Sequence, residues 1–386
     1  MNNAYRGSFA GTLFVALAAA MVAPPALAIP PDPDNAALLY YQSFLALAQL
    51  GDEARDRIAE VARGDKAPGD RVREDIGKCA GAIEFAEVAA TLPACDWGVR
   101  YSKGFEALMP QMAQMRLLTF VLIADARIRA ADGNYKEAIE RCLMAGTFAR
   151  HIGDETFISY LVSRSVRGLA YKCMQDVVGR SAGDAELLQW LKDELAASDI
   201  VTLSPVRPLK NEMEIVSDLL RMENVEKLAR ALAGSDEKKA AVIIRKADEK
   251  ILERAKRMYT ERMSSALAVL STSMPYEQAV AQLKQVADFD PNDPSSQIVQ
   301  AFIPGLDKIF SQKTAIETHA NAITAGIEIL LSRAKTGQLP DALPPGLPTD
   351  AFSGKDFEYA KTKEGFTLRC PGRDLDVYRY EFKIRK

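Results

Sequence analysis

Histidine is scarce in this chain: 386 residues contain only His151 and His319. They lie far apart, and neither has a second histidine at the spacing of a zinc site, so an HExxH-type centre is excluded. No glycine-rich phosphate loop or dinucleotide fingerprint follows any run of strand character. Neither sign of charge dominates, because 49 Lys and Arg against 52 Asp and Glu leave a formal charge of −3. That balance lacks the basic footprint of a nucleic-acid binder and points to no acidic lipid surface. Beyond the N-terminal segment no apolar run approaches the about 20 residues that span a bilayer, so no transmembrane helix is expected in the mature chain. No catalytic, cofactor or metal residue can be assigned from motifs, and no cofactor is expected.

What is present begins with an address. Arg6 supplies a positive start, Leu13 to Ala23 form a short apolar run, Pro24 and Pro25 break it, and Ala26-Leu27-Ala28 has the small-x-small pattern that a signal peptidase reads. Residues 1–28 are therefore expected to be a signal peptide, with a periplasmic or secreted mature chain starting near Ile29. Composition beyond it is ordinary for a globular protein, 48% hydrophobic and 26% charged. The length permits two domains with sizeable cores. Export makes disulfides possible for Cys79, Cys95, Cys142, Cys173 and Cys370. A turn near Leu92-Pro93 would bring Cys79 and Cys95 together; five buried thiols in a helical core are the equal alternative.

The chain is organised around Gln111–Arg150. Met112, Met115, Leu118, Leu122 and Ala126 recur at threes and fours, as do Tyr135, Ala138, Ile139, Cys142, Ala145 and Phe148. The break Asp132-Gly133-Asn134 between them predicts an antiparallel helix pair. Before it, helices are expected after a cap at Asp34 or Asn35, from Asp52, and from Asp70 to about Leu92. Cys95-Asp96-Trp97-Gly98, with Tyr101 close behind, form a loop in which Trp97 is either an anchor to the core or a binding contact. After the hairpin, helices are expected at Phe157–Val178 and Asp184–Ala197. Residues 204–294 read as a charged helical region with Ile244, Ile251 and Met258 spaced by seven for packing along one partner helix. A long helix from Ser295 to Lys335 breaks at Pro304. Strand signals cluster at 356–360, 365–369 and 377–384. Phe357, Tyr359, Phe366 and Leu368 are expected to include the residues that pack this tail on the last helix. Residues 29–203, 204–294 and 295–386 are the expected divisions of the mature chain. The fold class is mainly α, an irregular antiparallel helical array or bundle with a small C-terminal antiparallel β module on the last long helix.

Two stretches resemble known families. Gly133-Asn134-Tyr135-Lys136-Glu137-Ala138-Ile139, with Ala126 and Ala145, is similar to one tetratricopeptide hairpin. Leu122, Arg129 and Arg150 replace that repeat's Trp, Tyr and Pro, and Arg167 stands where the next copy would place its turn glycine. Gly337-Gln338-Leu339-Pro340 and Leu347-Pro348-Thr349-Asp350-Ala351-Phe352-Ser353-Gly354 resemble the C-terminal part of type II secretion pseudopilins. The pilin processing site is missing. Over nearly its whole mature length the chain resembles a group of uncharacterised exported bacterial proteins, a resemblance that implies no activity.

Several chemical readings compete with plain structural ones. A Cys95 nucleophile with His151 as base lacks flanking signatures. Ser235-Asp236-Glu237-Lys238 and Lys335-Thr336-Gly337 match fragments of penicillin-recognising enzymes, but the third element is missing and Ser235 reads better as a helix cap. Asp350, Asp374 and Asp376 offer hard oxygen ligands for calcium, as some pseudopilin tails do, yet read better as turn residues. The function expected is non-enzymatic binding of an envelope protein partner, with Cys95, Asp96, Trp97, Gly98 and Tyr101 as candidate interaction or loop-anchor residues. An envelope-polymer hydrolase with an unrecognised carboxylate pair and an accessory of a secretion or pilus-like machine are the alternatives.

Overall fold

A computed structural model describes residues 32–101, 103, 109–153, 155–197, 204–371 and 378–384. The expected signal peptide lies outside them. Asn35–Lys386 form one compact unit, which carries all the regular structure described. Among the described residues there are fifteen α-helices, and the only sheet has three strands near the C terminus.

The central hairpin is α5 (Met112–Ala131) and α6 (Tyr135–Ile152). Gly133 turns it with φ of 84°, a left-handed conformation that a side chain would strain. The Asn134 amide then donates to the Arg129 carbonyl, closing the last turn of α5. A buried ionic clasp holds the two helices: the Asp125 carboxylate accepts from Arg141 Nε at 2.7 Å and Arg129 Nε at 2.9 Å. Arg141 Nη1 reaches on to Glu87 at 2.6 Å. Glu87 belongs to α4 (Ala80–Thr91), which packs against α1 (Ala36–Leu47). The turn is tied outward as well, because Arg73 of α3 (Asp70–Gly77) grips both oxygens of Asp132. The one long helix expected from Asp70 to Leu92 is thus two, broken at Lys78 and Cys79, whose thiol turns back to the Asp75 carbonyl.

α2 (Asp52–Arg63) covers α5, and α7 (Phe157–Arg180) follows α6 and lies beside α5. Beyond α8 (Ala185–Ala197) come α9 (Val206–Leu219), α10 (Val225–Ala233), α11 (Glu237–Arg245) and α12 (Glu249–Leu270). The seven-residue stripe does not run as one seam. Asp248 caps α12 through the Ile251 amide, so Ile244 belongs to another helix and is 39% exposed. The face that α12 buries is Leu252, Ala255, Tyr259, Met263 and Ala266. Asp236, rather than Ser235, caps α11 by accepting from the Lys239 amide. After α13 (Tyr276–Val286) and α14 (Pro294–Gln300), Pro304 separates α14 from α15 (Leu306–Thr336), which ends at Gly337 in the left-handed region.

The tail strands β1 (Glu358–Thr362), β2 (Gly365–Arg369) and β3 (Arg379–Lys383) form an antiparallel meander in chain order. Phe366 pairs with Phe382, and Leu368 with both Tyr359 and Tyr380, so these five side chains share one face. All four residues expected at the helix contact, Phe357 among them, are buried or half-buried. Two rings of β3 also meet α15: Phe382, which a Cβ on Gly326 would approach to 2.5 Å, and Tyr380, whose centroid lies 4.9 Å from that of His319. A Cβ on Gly179 of α7 would meet the Lys383 carbonyl at 2.7 Å. Absence of a side chain at these two helical positions lets β3 lie directly on both helices. The Asp350 loop anchors the tail to α15 through Asn321 Nδ2, which donates to the Thr349 carbonyl at 2.8 Å. Asp350 is fully buried; its carboxylate accepts from the Phe352 and Ser353 amides and from Ser353 Oγ, which is the work of a turn residue. Asp374 and Asp376 lie outside the described residues.

Candidate functional site

The loop singled out in the sequence is built inward. Asn35 caps α1 and fastens the loop: its Oδ1 accepts from the Ala37 and Asp96 amides, and its Nδ2 donates to the Asp96 carbonyl at 2.9 Å. The Gly98 amide donates to Asp96 Oδ1 at 2.8 Å. Trp97 is only 8% exposed, stacks between Tyr40 and Phe44 with centroids 5.6 and 6.0 Å away, and donates Nε1–H to the His151 carbonyl at 2.6 Å. His151 Nδ1 lies 3.0 Å from the Tyr40 hydroxyl, and burial depresses the imidazole to about 4. Burial pushes the neighbouring Cys95 thiol up to about 12, with Asp96 adding to the shift. A nucleophile needs its thiol lowered, so this pair is not poised for attack. Asp96, Gly98 and Tyr101 are exposed, Tyr101 at 39%, and Cys95 is half-buried. None of the five cysteines is disulfide-bonded, Cys79 and Cys95 included.

A different place has the features of a binding site. A cleft of about 870 Å³ opens between the segment after α2, the end of α5, the second half of α7, His319 of α15 and strand β3. Lys66, Arg127, Lys172, Arg180, Arg379 and Lys383 line it, against Asp65, Asp176 and Glu381. Six cations to three carboxylates concentrate positive charge in a chain whose net charge is −3. The three acids already have partners: Asp65 pairs with Arg63 at 2.8 Å, Asp176 with Arg127 at 2.8 Å, and Glu381 with Lys383 at 3.8 Å.

Arg127 is the innermost cation, its side chain 11% exposed. Its Nε donates to the Ala62 carbonyl at 3.1 Å and its Nη1 to Asp176. The guanidinium rests against Gly64, where a Cβ would lie 3.0 Å from Nη2. Nη2 is buried with no acceptor, and a buried donor left unpaired costs about 1–3 kcal/mol. Lys172 Nζ donates to the Arg63 carbonyl at 2.9 Å. His319 sits 2.7 Å from Gln175 Oε1 through Nε2, so Nε2 carries the proton, and Gln175 Nε2 passes on to the Glu381 carbonyl at 2.8 Å. Burial, with the charge of Lys172 added, holds His319 down to about 4 and therefore neutral at pH 7. Guanidinium and ammonium groups around a neutral imidazole suit an anionic ligand chemically, and each of the three carboxylates is engaged by a cation. Glu212, a carboxyl raised by burial, lies on α9 and lines no part of this cleft.

None of the five loop residues lines the cleft, and no local motif announces the residues that do. No protein-family model matches the chain, and no curated protein or solved structure matches it either. Among the described residues no helix is long and apolar enough to cross a membrane, and no group of His, Cys, Asp and Glu is placed to hold a metal ion.

Proposed function

We propose that this chain is an exported helical scaffold that works by binding a protein partner in the cell envelope, and that the cleft receives an anionic group of that partner. The observation that carries the reading is the cationic surplus gathered around Arg127, whose buried Nη2 lacks an acceptor. An incoming carboxylate or phosphate would answer both features at once. Export rests on the short apolar run and the Ala26-Leu27-Ala28 site. The β meander seated on the long helix α15 favours a narrower version, in which the chain is pseudopilin-like in its tail and the partner belongs to a secretion or pilus-like machine.

The test is chemical cross-linking in host cells followed by affinity recovery, comparing the natural chain with Lys172→Glu/Arg379→Glu. The partner recovered with the natural chain is expected to fall about tenfold with the variant, the loss that about 1.4 kcal/mol represents. Thermal midpoints of the two proteins control for folding. Equal recovery overturns the assignment of the cleft, and an intact Met1 on a cytoplasmic product overturns export.

A further inference from the structure

A second concave surface lies where α5 and the first half of α7 run side by side. It is a groove of about 610 Å³, and its floor is apolar. From α7 come Ile158, Leu161, Val162 and Leu169, and from α5 come Met112 and Phe120. The α7 residues recur at threes, fours and sevens, so they form one stripe. The other side of the same helix buries Tyr160, Arg167, Ala170 and Met174 in the core. The stripe itself is uncovered: Ile158 is 53% exposed, and Leu161, Val162 and Leu169 are half-buried. Ile158 to Leu169 spans three turns, about 16 Å of helix at 1.5 Å per residue. Two adjacent helix stripes with a trough between them are the seat into which a third amphipathic helix packs.

Charge selects the occupant. The groove's charged lining is Arg63 and Arg116, with no acid among the lining residues. Both guanidinium groups stand over the Phe120 ring, 5.8 and 5.4 Å from its centroid, which holds them at the edge of the apolar floor. Arg63 pairs with Asp65, whereas Arg116 makes no ion pair among the described residues. The groove adjoins the cationic cleft along α7, since Leu169 lines the one and Gly168 the other. We propose that this groove docks an amphipathic helix of a protein partner, about three turns long, apolar on one face and acidic along the flank that meets Arg116. The proposal rests on the partner-binding reading above and adds to it the class of segment recognised.

The experiment uses the full chain in host cells with a photoreactive benzoylphenylalanine at position 161, and the same residue at position 66 in the cleft as a second probe. The adducts are read by mass spectrometry. From position 161 we expect a polypeptide adduct whose cross-linked segment has a helical apolar repeat flanked by Asp or Glu. Its yield should fall about tenfold in an Arg116→Glu background, and again in Ile158→Glu, a change at an exposed residue that spares the core. A lipid adduct, a cross-link to a second copy of this chain, an undiminished yield in Arg116→Glu, or no adduct from position 161 each overturns the proposal. If position 66 captures a polypeptide while position 161 does not, the groove is wrong and partner binding stands. If neither captures one, both fall.

Discussion

The central hairpin and the α10–α11 arm read alike in sequence, and the structure treats them differently. Both alternate apolar and charged residues at helical spacing. In α6 that pattern is covered on several sides, and Ala138, Ile139, Cys142, Ala145 and Phe148 are all fully buried. α11 buries nothing, and its Val242 and Ile244 are each 39% exposed. Periodicity states which face of a helix is apolar; it does not state that anything covers that face. The hairpin is covered because α1, α2, α4 and α7 converge on it, and because the Asp125–Arg141 clasp gives it a fixed partner geometry.

The contrast can be broken most forcibly at that clasp. Asp125→Ala would leave the buried Arg141 guanidinium without its buried carboxylate and with only the half-exposed Glu87 as partner, and removing one member of a buried pair costs about 3–5 kcal/mol. Urea unfolding should show a lower midpoint at unchanged slope. Acid is the next lever. His151 and His319 are held at about 4 in the folded chain, against about 6.5 unfolded. Between those values the unfolded chain takes up protons that the folded chain refuses. The folded state therefore has its full stability above about pH 6.5 and loses it as pH falls towards 4. By pH 5 each histidine should cost about 2 kcal/mol. His319→Gln should roughly halve the change in unfolding midpoint between pH 7 and pH 5; an unchanged profile would show that His319 is not held neutral.

Smaller effects follow at the tail and the arm. Gly326→Ala sets a methyl against Phe382 and should cost about 1–3 kcal/mol by overpacking. Protease sensitivity should appear after α15 before the hairpin is touched. Ile244→Ser in α11 should change stability by no more than about 0.5 kcal/mol. Hydrogen exchange would sharpen the comparison, with α6 amides opening only in global unfolding and α11 amides exchanging locally. Equal protection of the two helices would refute the difference in burial.

Much of the fold was legible because its signals are local. The Gly133 turn, the Asn35 cap, the Pro304 break, the Gly337 stop and the confinement of sheet to the tail all come from residues within a turn of one another. The misreadings were also local. The Ile244–Ile251–Met258 repeat ran across a helix boundary that Asp248 marks as an N-cap, so the cap should have outranked the spacing. The split at Lys78–Cys79 had no proline to announce it. The cleft was invisible for another reason. Arg127, Lys172, His319 and Arg379 come from four distant segments, and each alone reads as a surface charge or a lone core histidine. Gly179 and Gly326 likewise look like weak points in helices until β3 is laid against them.

The contact between Gln175 and Glu381 joins residues 206 positions apart, and this separation sets an order in time. A chain made from its N terminus completes α7 long before β3 exists; at 5–20 residues per second the interval is roughly 10–40 seconds. Throughout it the glycine-marked seat on α7 stays bare; the seat on α15 and the His319–Gln175 bridge join it once α15 is made, and still have no strand to reach. The last element described works as a latch: a nascent chain can form its helices early, but it cannot close the cleft or shield those seats until its final strand has been delivered.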